Sequence, residues 1–406
     1  MGTPWEQRKL GDFLEISRIP GSTGLNSRKL TVKLWGKGIV AKKETMRGSE
    51  NTKYYVRHAG QLMYAKLDFL HGAFGIVPPS LEGYESTLDL PAFDISAIHP
   101  HFLLEQLLQE SFYLGQGNIA DGSRKAKRIH EDIFLNMSIY TTSIQEEQKI
   151  ADLLKEFDQC ITLHQRKLEL LKKKKAGLLQ KMFPKPGSNV PELRFPGFTE
   201  PWEQRKLGEL GFTFSGLSGK SKEDFGHGDA SFITYLNVFS NPIADPSGLE
   251  HIEIDPKQHS VKEGDILFTT SSETPDEVGM SSIWPIDKEN IYLNSFCFGF
   301  RPFEKIDINF YASLLRSPTI RANIILLAQG VSRYNISKNK VMEILLPLPD
   351  CDEQNKIGML FAALENQITL HQRKLDILKE QKKGLLQKMF PKEGENEPEL
   401  RFPEFR

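Results

Sequence analysis

The chain has 406 residues, of which 39% are hydrophobic and 26% are charged, and its formal net charge is −1. This length supports two or three domains with buried cores, and the composition excludes a largely disordered protein. No stretch approaches the roughly 20 apolar residues of a transmembrane helix, no signal segment precedes the first domain, and the three cysteines lack the spacing of a zinc site, so we expect a reduced, cytoplasmic protein with no membrane partner.

A short segment near the start of the chain, residues 4–12, is repeated almost unchanged at 201–209. The second copy follows residues 192–198, and the repeat of those residues is found at 399–405. The complete segment is therefore present once, and its other copy is divided between the two ends of the chain. This pattern predicts a circular, pseudo-two-fold arrangement whose two ends lie close together.

Two longer regions between these repeats differ in sequence but share landmarks in the same order. Each has a turn glycine that leads into a β-rich run, then a helical stretch, then a polar glycine-containing loop. These landmarks are 59–64, 100–113 and 115–128 in the first region and 263–268, 309–327 and 329–335 in the second. We therefore predict the same α+β domain twice.

The longest repeated text is charged and helix-like, and it runs from 146 to 183 and again from 353 to 390. Apolar residues alternate by four and three positions in both copies, which is the heptad pattern of a coiled coil. Four polar residues interrupt it at equivalent places, namely His164, Lys175, His371 and Lys382. Because polar residues in a helical seam fix register, we predict two helices packed antiparallel and aligned by these four. In the alternative, each helix packs only on its own domain.

The predicted organisation has six parts. They are a first α+β domain (1–143), a first long helix (144–185), a linker (186–200), a second α+β domain (201–349), a second long helix (350–391) and a C-terminal tail that returns to the N-terminus (392–406).

The overall charge conceals local positive regions. Ten Lys or Arg stand against Glu44 and Glu50 between residues 18 and 57, and eight stand against Glu169 alone between residues 166 and 185. Such regions suit a polyanion, and duplex DNA is read by polar side chains and held by basic ones. The second domain argues against this interpretation, because 14 basic and 20 acidic residues between 200 and 349 give it a net charge of −6.

The candidate DNA contacts are basic and small polar residues grouped in loops. In the first domain they are Arg18, Ser22, Asn26, Arg28, Lys29, Lys42, Lys43, Arg47, Arg57, Ser123, Arg124, Lys125, Lys127 and Arg128. In the second domain they are Ser218, Lys220, Ser221, Lys222, Asn237, Asn241, Arg333, Tyr334, Asn335 and Lys338. Each residue alone is of a kind common on solvated surfaces, so the prediction depends on the groups.

Motifs that would carry catalysis are incomplete. Residues 219–221 (Gly-Lys-Ser) resemble the end of a phosphate-binding loop, but Phe214 stands where the first glycine is required. Residues 255–257 (Asp-Pro-Lys) have the outline of a nuclease motif without its second acidic element, and Asp-Pro favours a turn. We predict a chain with no catalytic, cofactor-binding or metal-binding residues. Two alternatives remain open: a coiled-coil adaptor that binds proteins but no DNA, and a self-sufficient DNA enzyme.

These motifs occur twice in the same order, and in this the chain resembles the DNA-specificity (S) subunit of type I restriction-modification systems. The resemblance covers essentially the whole chain, and it rests on residues 5–11 with their repeat, the block 264–268, the loop 329–333 and the helix opening 146–150. It implies two target-recognition domains, each of which reads one half of a bipartite, asymmetric site in double-stranded DNA.

The resemblance also implies partners. The paired helices would set the unread spacer and dock two adenine-N6 methyltransferase (M) subunits, to which restriction (R) motor-nuclease subunits are added. S-adenosylmethionine would bind the methyltransferase subunits and ATP with magnesium the motor subunits, while no cofactor would bind this chain.

Overall fold

The computed structural model describes residues 4–23, 26–43, 50–119, 128–392 and 394–406. The chain folds into two compact units. The first contains the residues up to His164 together with Lys374–Arg406, and the second contains Gln165–Arg373. Each unit thus combines one variable domain with the start of one long helix and the end of the other.

The first unit is built from short strands and short helices that precede a long helix. Its strands are β1 (Glu6–Lys9), β2 (Leu14–Ser17), β3 (Pro20–Thr23), β4 (Leu30–Val32), β5 (Ile39–Ala41), β6 (Lys53–Val56), β7 (Leu62–Tyr64), β8 (Phe74–Ile76), β9 (Glu85–Ser86), β10 (Ala92–Ile95) and β11 (Ser138–Thr141). Its helices are α1 (Pro100–Leu107), α2 (Glu110–Tyr113), α3 (Glu131–Leu135) and the first part of α4 (Ile144–Lys181).

The central sheet of the first unit is antiparallel, in the order β2-β10-β7-β8. Side chains alternate across a strand, so neighbouring residues of β7 enter different parts of the core. Leu62 and Tyr64 join the main cluster with Phe102 of α1, whereas Met63 joins a smaller cluster with Leu30 of β4. Both faces of β7 are therefore covered, which explains its unbroken run of apolar residues.

The second unit repeats this plan with additions. Its strands are β12 (Glu203–Lys206), β13 (Gly211–Ser215), β14 (Phe225–Ile233), β15 (Leu249–Ile252), β16 (Ile266–Thr269), β17 (Ser271–Ser272), β18 (Ser281–Ile283), β19 (Ile291–Leu293), β20 (Cys297–Pro302), β21 (Tyr334–Asn335) and β22 (Leu345–Leu348). Its helices are α5 (Tyr235–Ser240), α6 (Ile308–Leu315), α7 (Pro318–Ile325), α8 (Lys338–Met342) and the first part of α9 (Cys351–Met389).

The two domains share one sheet topology. In the second unit the central sheet has the order β13-β20-β16-β18, which matches β2-β10-β7-β8 element for element. In both units the first strand pairs with the strand just before the long helix, β1 with β11 and β12 with β22. The predicted duplication of one α+β domain is confirmed. Each unit also has a three-stranded sheet, β3-β6-β9 in the first and β15-β14-β19 in the second.

The helical stretch predicted in each domain is divided into two short helices. Gln109 and Ser317 are extended at the break, with ψ angles of 135° and 151°. In the second domain the cause is local, because Pro318 disfavours a helical conformation for the residue before it and suits the first position of a new helix. The heptad pattern carries no such break, and α4 and α9 are continuous.

The long helices pack as the heptad predicts. All predicted core positions of α4 and α9 are buried or half-buried, and most positions between them are exposed. In the second unit the Phe361 and Phe183 rings stack at 5.9 Å, and Glu365, one turn later, pairs with Lys175. The residue numbers of the contacting pairs rise along α9 while they fall along α4, so the two helices are antiparallel, as predicted. None of the described helices is long and apolar enough to cross a membrane.

Each domain is completed by the end of the long helix that belongs to the other repeat. Trp202 lies within about 6.1 Å of the Phe183 ring at the end of α4, and Trp5 lies 6.1 Å from Phe390 just after α9. Trp202 and Trp5 are equivalent residues in the two copies of the split segment, and all four rings are buried. The exchange of helix ends explains why the sequence repeats these segments together.

Candidate nucleic-acid interface

The first domain carries a lysine-rich hairpin formed by β4 and β5. Residues 26–43 contain six Lys or Arg and no acidic residue. The predicted contacts Lys42 and Lys43 are exposed at its end, and Lys33 and Lys37 are exposed at its turn. Sequence reasoning did not select Lys33 and Lys37. The run Trp-Gly-Lys-Gly between two apolar segments, a hairpin signal, would have found them.

Three further predicted contacts of the first domain are exposed. They are Arg18, Asn26 and Arg28. The Arg28 guanidinium lies over the Tyr84 ring, 4.9 Å from its centroid, which orients the side chain without removing it from solvent. These groups are available to a polyanion.

Two predicted contacts are held more tightly. Ser22 is half-buried, and both its amide and its hydroxyl donate to Glu85 Oε2 at 2.9 Å. Lys29 is buried, with its ammonium 5.7 Å from the Tyr54 ring centroid. A ligand can use these side chains only if they exchange their present contacts.

Arg57 lies in the core of the first domain. Its guanidinium donates to Ser86 Oγ at 2.7 Å, to the Ser17 carbonyl oxygen at 2.9 Å and to the Leu90 carbonyl oxygen at 3.4 Å. Burial lowers the pKa of Arg57 to about 10. Its bonds join three segments of the domain, so the side chain serves the fold in this structure. Nothing in the sequence separates it from the exposed basic residues around it.

The second predicted loop of the first domain lies partly outside the described residues. The predicted contacts that lie outside the described residues are Arg47, Ser123, Arg124, Lys125 and Lys127. Arg128 is described and exposed, with its Nε 3.9 Å from Asp89 Oδ1. An exposed ion pair at this distance is weak, so the guanidinium can exchange it for a stronger anionic partner.

In the second domain, Lys220 is paired with Asp255. Lys220 Nζ lies 2.8 Å from Asp255 Oδ2, a contact that raises the pKa of Lys220 and lowers that of Asp255. This ion pair therefore joins the two incomplete catalytic motifs, residues 219–221 and 255–257. The neighbouring candidates Ser218 and Lys222 are exposed, while Ser221 caps the short turn that follows it.

Asn237 and Asn241 hold a loop together. Asn237 is buried, and its Nδ2 donates to the carbonyl oxygens of Asp245 at 2.8 Å and Gly248 at 3.0 Å. Asn241 Nδ2 donates to Asn237 Oδ1 at 3.0 Å. Both amides are satisfied inside the domain, and they shape the segment after α5.

A second hairpin presents the loop 329–335. Gln329 and Asn335 exchange two backbone hydrogen bonds of 2.9 Å, and β21 pairs with β17. Gly330 has a φ of +136°, and a Cβ there would lie 2.0 Å from the Arg333 carbonyl oxygen, so only glycine fits. The tip is exposed, and Val331 reaches 94% exposure. Arg333 is exposed in the same tip, and an arginine and an aliphatic group are suited to base edges in the major groove.

The remaining candidates of this group lie beside the hairpin. Tyr334 is half-buried, Asn335 is exposed, and Lys338 is exposed at the start of α8. Val331 was not among the predicted contacts, because an aliphatic residue in sequence is usually assigned to the core. Only its exposure identifies it.

The polar residues in the helical seams are ion-paired at equivalent places. In the second unit Lys175 pairs with Glu365. In the first unit Lys382 Nζ donates to Asp158 Oδ1 at 2.7 Å, and Asp158 occupies the place in the repeat that Glu365 occupies in the other copy. His164 and His371 are half-buried. The structure thus gives both lysines a partner on the opposite helix, while their role in register stays a prediction.

The seam of the first unit has an additional carboxylate. Lys382 Nζ also donates to Glu105 Oε1 of α1 at 2.9 Å, and Glu105 is buried. Burial raises the pKa of Glu105 to about 7; Lys382 opposes this rise, and Asp158 adds to it. Among the described residues, His101, Glu105 and Asp158 form the one group spaced as metal ligands would be, but the Lys382 ammonium already contacts both carboxyl groups.

Two arginine–glutamate pairs, each with a buried glutamate, fasten the segments that follow the long helices. Arg401 donates from Nε and Nη2 to Glu146 at 2.8 Å each. Arg194 donates in the same way to Glu353 at 2.9 and 2.7 Å. Both glutamates are fully buried at the start of a long helix. Such bidentate pairs fix geometry, and the sequence signal for them was the repetition of both partners.

The second domain and its helix match a known family. Residues 199–380 match the family model described as the type I restriction modification DNA specificity domain. Two relatives from Methanocaldococcus jannaschii are each 24% identical to the chain. The type I restriction enzyme MjaVIII specificity subunit aligns over 64% of this chain and 62% of its own length, and the putative MjaX specificity subunit over 71% and 67%. The chain spans less than two thirds of the first relative.

Solved structures show the same fold. The S subunit of a type I restriction-modification system from M. genitalium superposes with a TM-score of 0.60 at 14% identity, over 96% of this chain and 97% of that one. A chain from a study of complex assembly and conformational transition of the type I R-M system gives a TM-score of 0.51 at 16% identity, over 95% and 97%.

These structures define the fold, that of a type I S subunit, with two α+β domains and two long helices. Within that fold, residues 199–380 are similar to the DNA specificity domain of type I restriction-modification systems. The predicted resemblance to this family is confirmed.

Proposed function

We propose that this chain is the non-catalytic DNA-specificity subunit of a type I restriction-modification complex. Its two target-recognition domains, 1–143 and 201–349, would each read one half of a bipartite, asymmetric site. The observation that carries this proposal is that the two domains share their central sheet strand for strand, whereas their exposed hairpins differ. The first domain offers the lysine-rich β4–β5 hairpin, and the second offers the Gly330–Tyr334 tip.

The long helices would set the unread spacer and dock the partners. α4 has 38 residues and is therefore about 57 Å long at 1.5 Å per residue. Half-sites read from one face of B-DNA lie about 34 to 36 Å apart, which a helix of this length exceeds. Two copies of one helix sequence suit two copies of one partner, which supports docking of two methyltransferase subunits, with restriction subunits added to them.

The chemistry would belong to the partners. S-adenosylmethionine would bind the methyltransferase subunits, and ATP with magnesium the motor subunits. The complex would act in the cytoplasm. The two sequence motifs that resembled catalytic loops are incomplete, and their Lys220 and Asp255 pair with each other in a loop contact.

A coiled-coil adaptor without DNA binding is the competing function, and the net charge of −6 between 200 and 349 favours it. A gel shift of the purified complex separates the two. The DNA-specificity function predicts binding that weakens steeply as salt rises, because phosphate contacts release counterions. An adaptor would give no shift at any salt concentration.

The decisive test is a genome-wide map of methylated adenines in cells with and without the gene for this chain. A bipartite motif that disappears without the chain supports the proposal. An unchanged map would contradict it. Adding labelled S-adenosylmethionine and DNA to the isolated chain is the matched control, and it should show no methyl transfer.

A further inference from the structure

The turn of the β4–β5 hairpin exposes a tryptophan. The chain has four tryptophans, of which Trp5, Trp202 and Trp284 are buried, whereas Trp35 is 55% exposed. A large aromatic side chain gains most when it leaves water, so its exposure at a hairpin tip needs a reason other than packing.

The backbone at Trp35 is strained. Trp35 and Gly36 have φ angles of +59° and +64°, and the Lys37 amide donates to the Leu34 carbonyl oxygen at 3.3 Å. Positive φ at both central residues is the pattern of a type I′ turn, which favours Asn-Gly or Gly-Gly. Gly36 suits this turn because glycine adopts a positive φ without strain. A bulky residue at the preceding position is unfavourable.

A neighbouring loop holds the turn in this conformation. The Trp35 amide donates to the His71 carbonyl oxygen at 2.8 Å, and the Gly36 amide donates to the Gly72 carbonyl oxygen at 2.9 Å. The indole meets the His71 ring edge-on, with centroids 5.6 Å apart. The backbone is therefore fixed from one side, and more than half of the indole faces solvent.

The charge around the indole is positive. Lys33 and Lys37 flank the turn, and both are exposed. His71, whose ring contacts the indole, lies 3.9 Å from the Asp68 carboxylate. A rigid aromatic face between lysines is suited to a ligand that combines phosphates with aromatic rings, which is nucleic acid. A protein partner would leave the lysines without phosphates to bind.

We propose that Trp35 is a base-stacking residue of the first domain. Its indole packs against a base at a step that the protein opens within the first half-site, while Lys33 and Lys37 contact the flanking phosphates. This inference rests on the proposed function, because it requires that the first domain binds DNA.

The test uses the full chain in complex with its methyltransferase and a duplex that carries the mapped motif. In Trp35→Gly the ring is removed and the positive φ is relieved, so the hairpin should remain at least as stable. Affinity should fall about 5- to 100-fold, the usual effect of losing one stacked base. Trp35→Phe should keep most of the affinity.

Salt dependence distinguishes stacking from a displaced turn. The slope of log K against log salt should be unchanged in Trp35→Gly, whereas Lys33→Ala should reduce it by about one. Phe303→Ala, at an exposed ring of the second domain, is the control and should bind as the wild type. Wild-type affinity in Trp35→Gly would overturn the proposal, and so would a reduced slope in that variant.

A direct signal comes from ¹⁹F spectra of the chain labelled with 5-fluorotryptophan, assigned with Trp35→Phe. We expect the Trp35 resonance to shift when the duplex is added, and the three buried tryptophans to stay unchanged. A shift that is complete on adding the methyltransferase alone would show a protein contact and overturn the proposal. Failure of the proposed function is seen separately, as a wild-type complex that does not bind the duplex.

Discussion

Replacing Arg401 by methionine should release the C-terminal segment from the first unit. The Arg401–Glu146 pair is bidentate and buried, and removing one member leaves the other charge buried without its partner. Such losses cost about 3 to 5 kcal/mol. The Thr142 hydroxyl still donates to Glu146 at 2.7 Å, so we expect about 3 kcal/mol, the lower end of this range.

The effect should be local and measurable by native-state hydrogen exchange. The Leu400 amide donates to the Lys388 carbonyl oxygen at 2.8 Å, which docks the segment on the end of α9. A loss of about 3 kcal/mol should raise its exchange rate by about 100-fold. Arg194→Met is the matched variant in the second unit, where the Leu193 amide donates to Lys181 at 2.9 Å, and it should affect Leu193 but not Leu400.

A compensating variant makes the reasoning refutable. Because replacing both members of a buried pair by apolar residues is often neutral, Arg401→Met combined with Glu146→Met should recover most of the lost protection. If Leu400 exchanges at the wild-type rate in Arg401→Met, the pair does not hold the segment. Equal changes at Leu400 and Leu193 would show general destabilisation instead.

Three further predictions concern pH, base contacts and the spacer. Burial raises the pKa of Glu105 to about 7, so between its ordinary value of 4.5 and about 7 the folded state keeps a proton that the unfolded state has released. Stability should therefore fall as pH rises through this range, and Glu105→Gln should flatten the dependence in thermal melts. Arg333→Ala should cost about 1 to 3 kcal/mol of binding free energy at one base of the second half-site. Lys42→Ala should weaken binding to all sequences and reduce the salt slope by about one in binding titrations. Equal losses across all base substitutions for Arg333→Ala would show that Arg333 does not read a base. Four residues inserted within 168–181, about 6 Å of helix, should lengthen the unread spacer by about one or two base pairs without changing either half-site, and an unchanged spacer in the methylation map would refute the ruler role of the helices.

Repetition is what made the fold predictable. A single copy of the heptad or of the Trp-containing segment is a weak signal, but two copies in the same order restrict the architecture. The antiparallel pairing followed from the polar interruptions, and Lys175 and Lys382 do meet carboxylates on the opposite helix. The split helical stretches were not predicted. Pro318 marks the break in the second domain, but no proline marks the break at Gln109 in the first.

The candidate interface was less predictable, because a basic residue in sequence carries no sign of its burial. Arg57 and Arg18 stand in the same basic region, yet one bonds three core segments and the other is exposed. Conversely, Trp35 and Val331 would be assigned to a core from sequence and lie outside it. Exposure depends on which loops pack beside a residue, and neither composition nor periodicity records that.

The most direct test of the central claim is to exchange residues 13–142 for the corresponding domain of another specificity subunit and to map methylated adenines. Independent reading by two domains predicts that one half of the motif is replaced while the other half and the spacer stay the same. A motif that changes in both halves, or methylation that keeps the original motif, would contradict it.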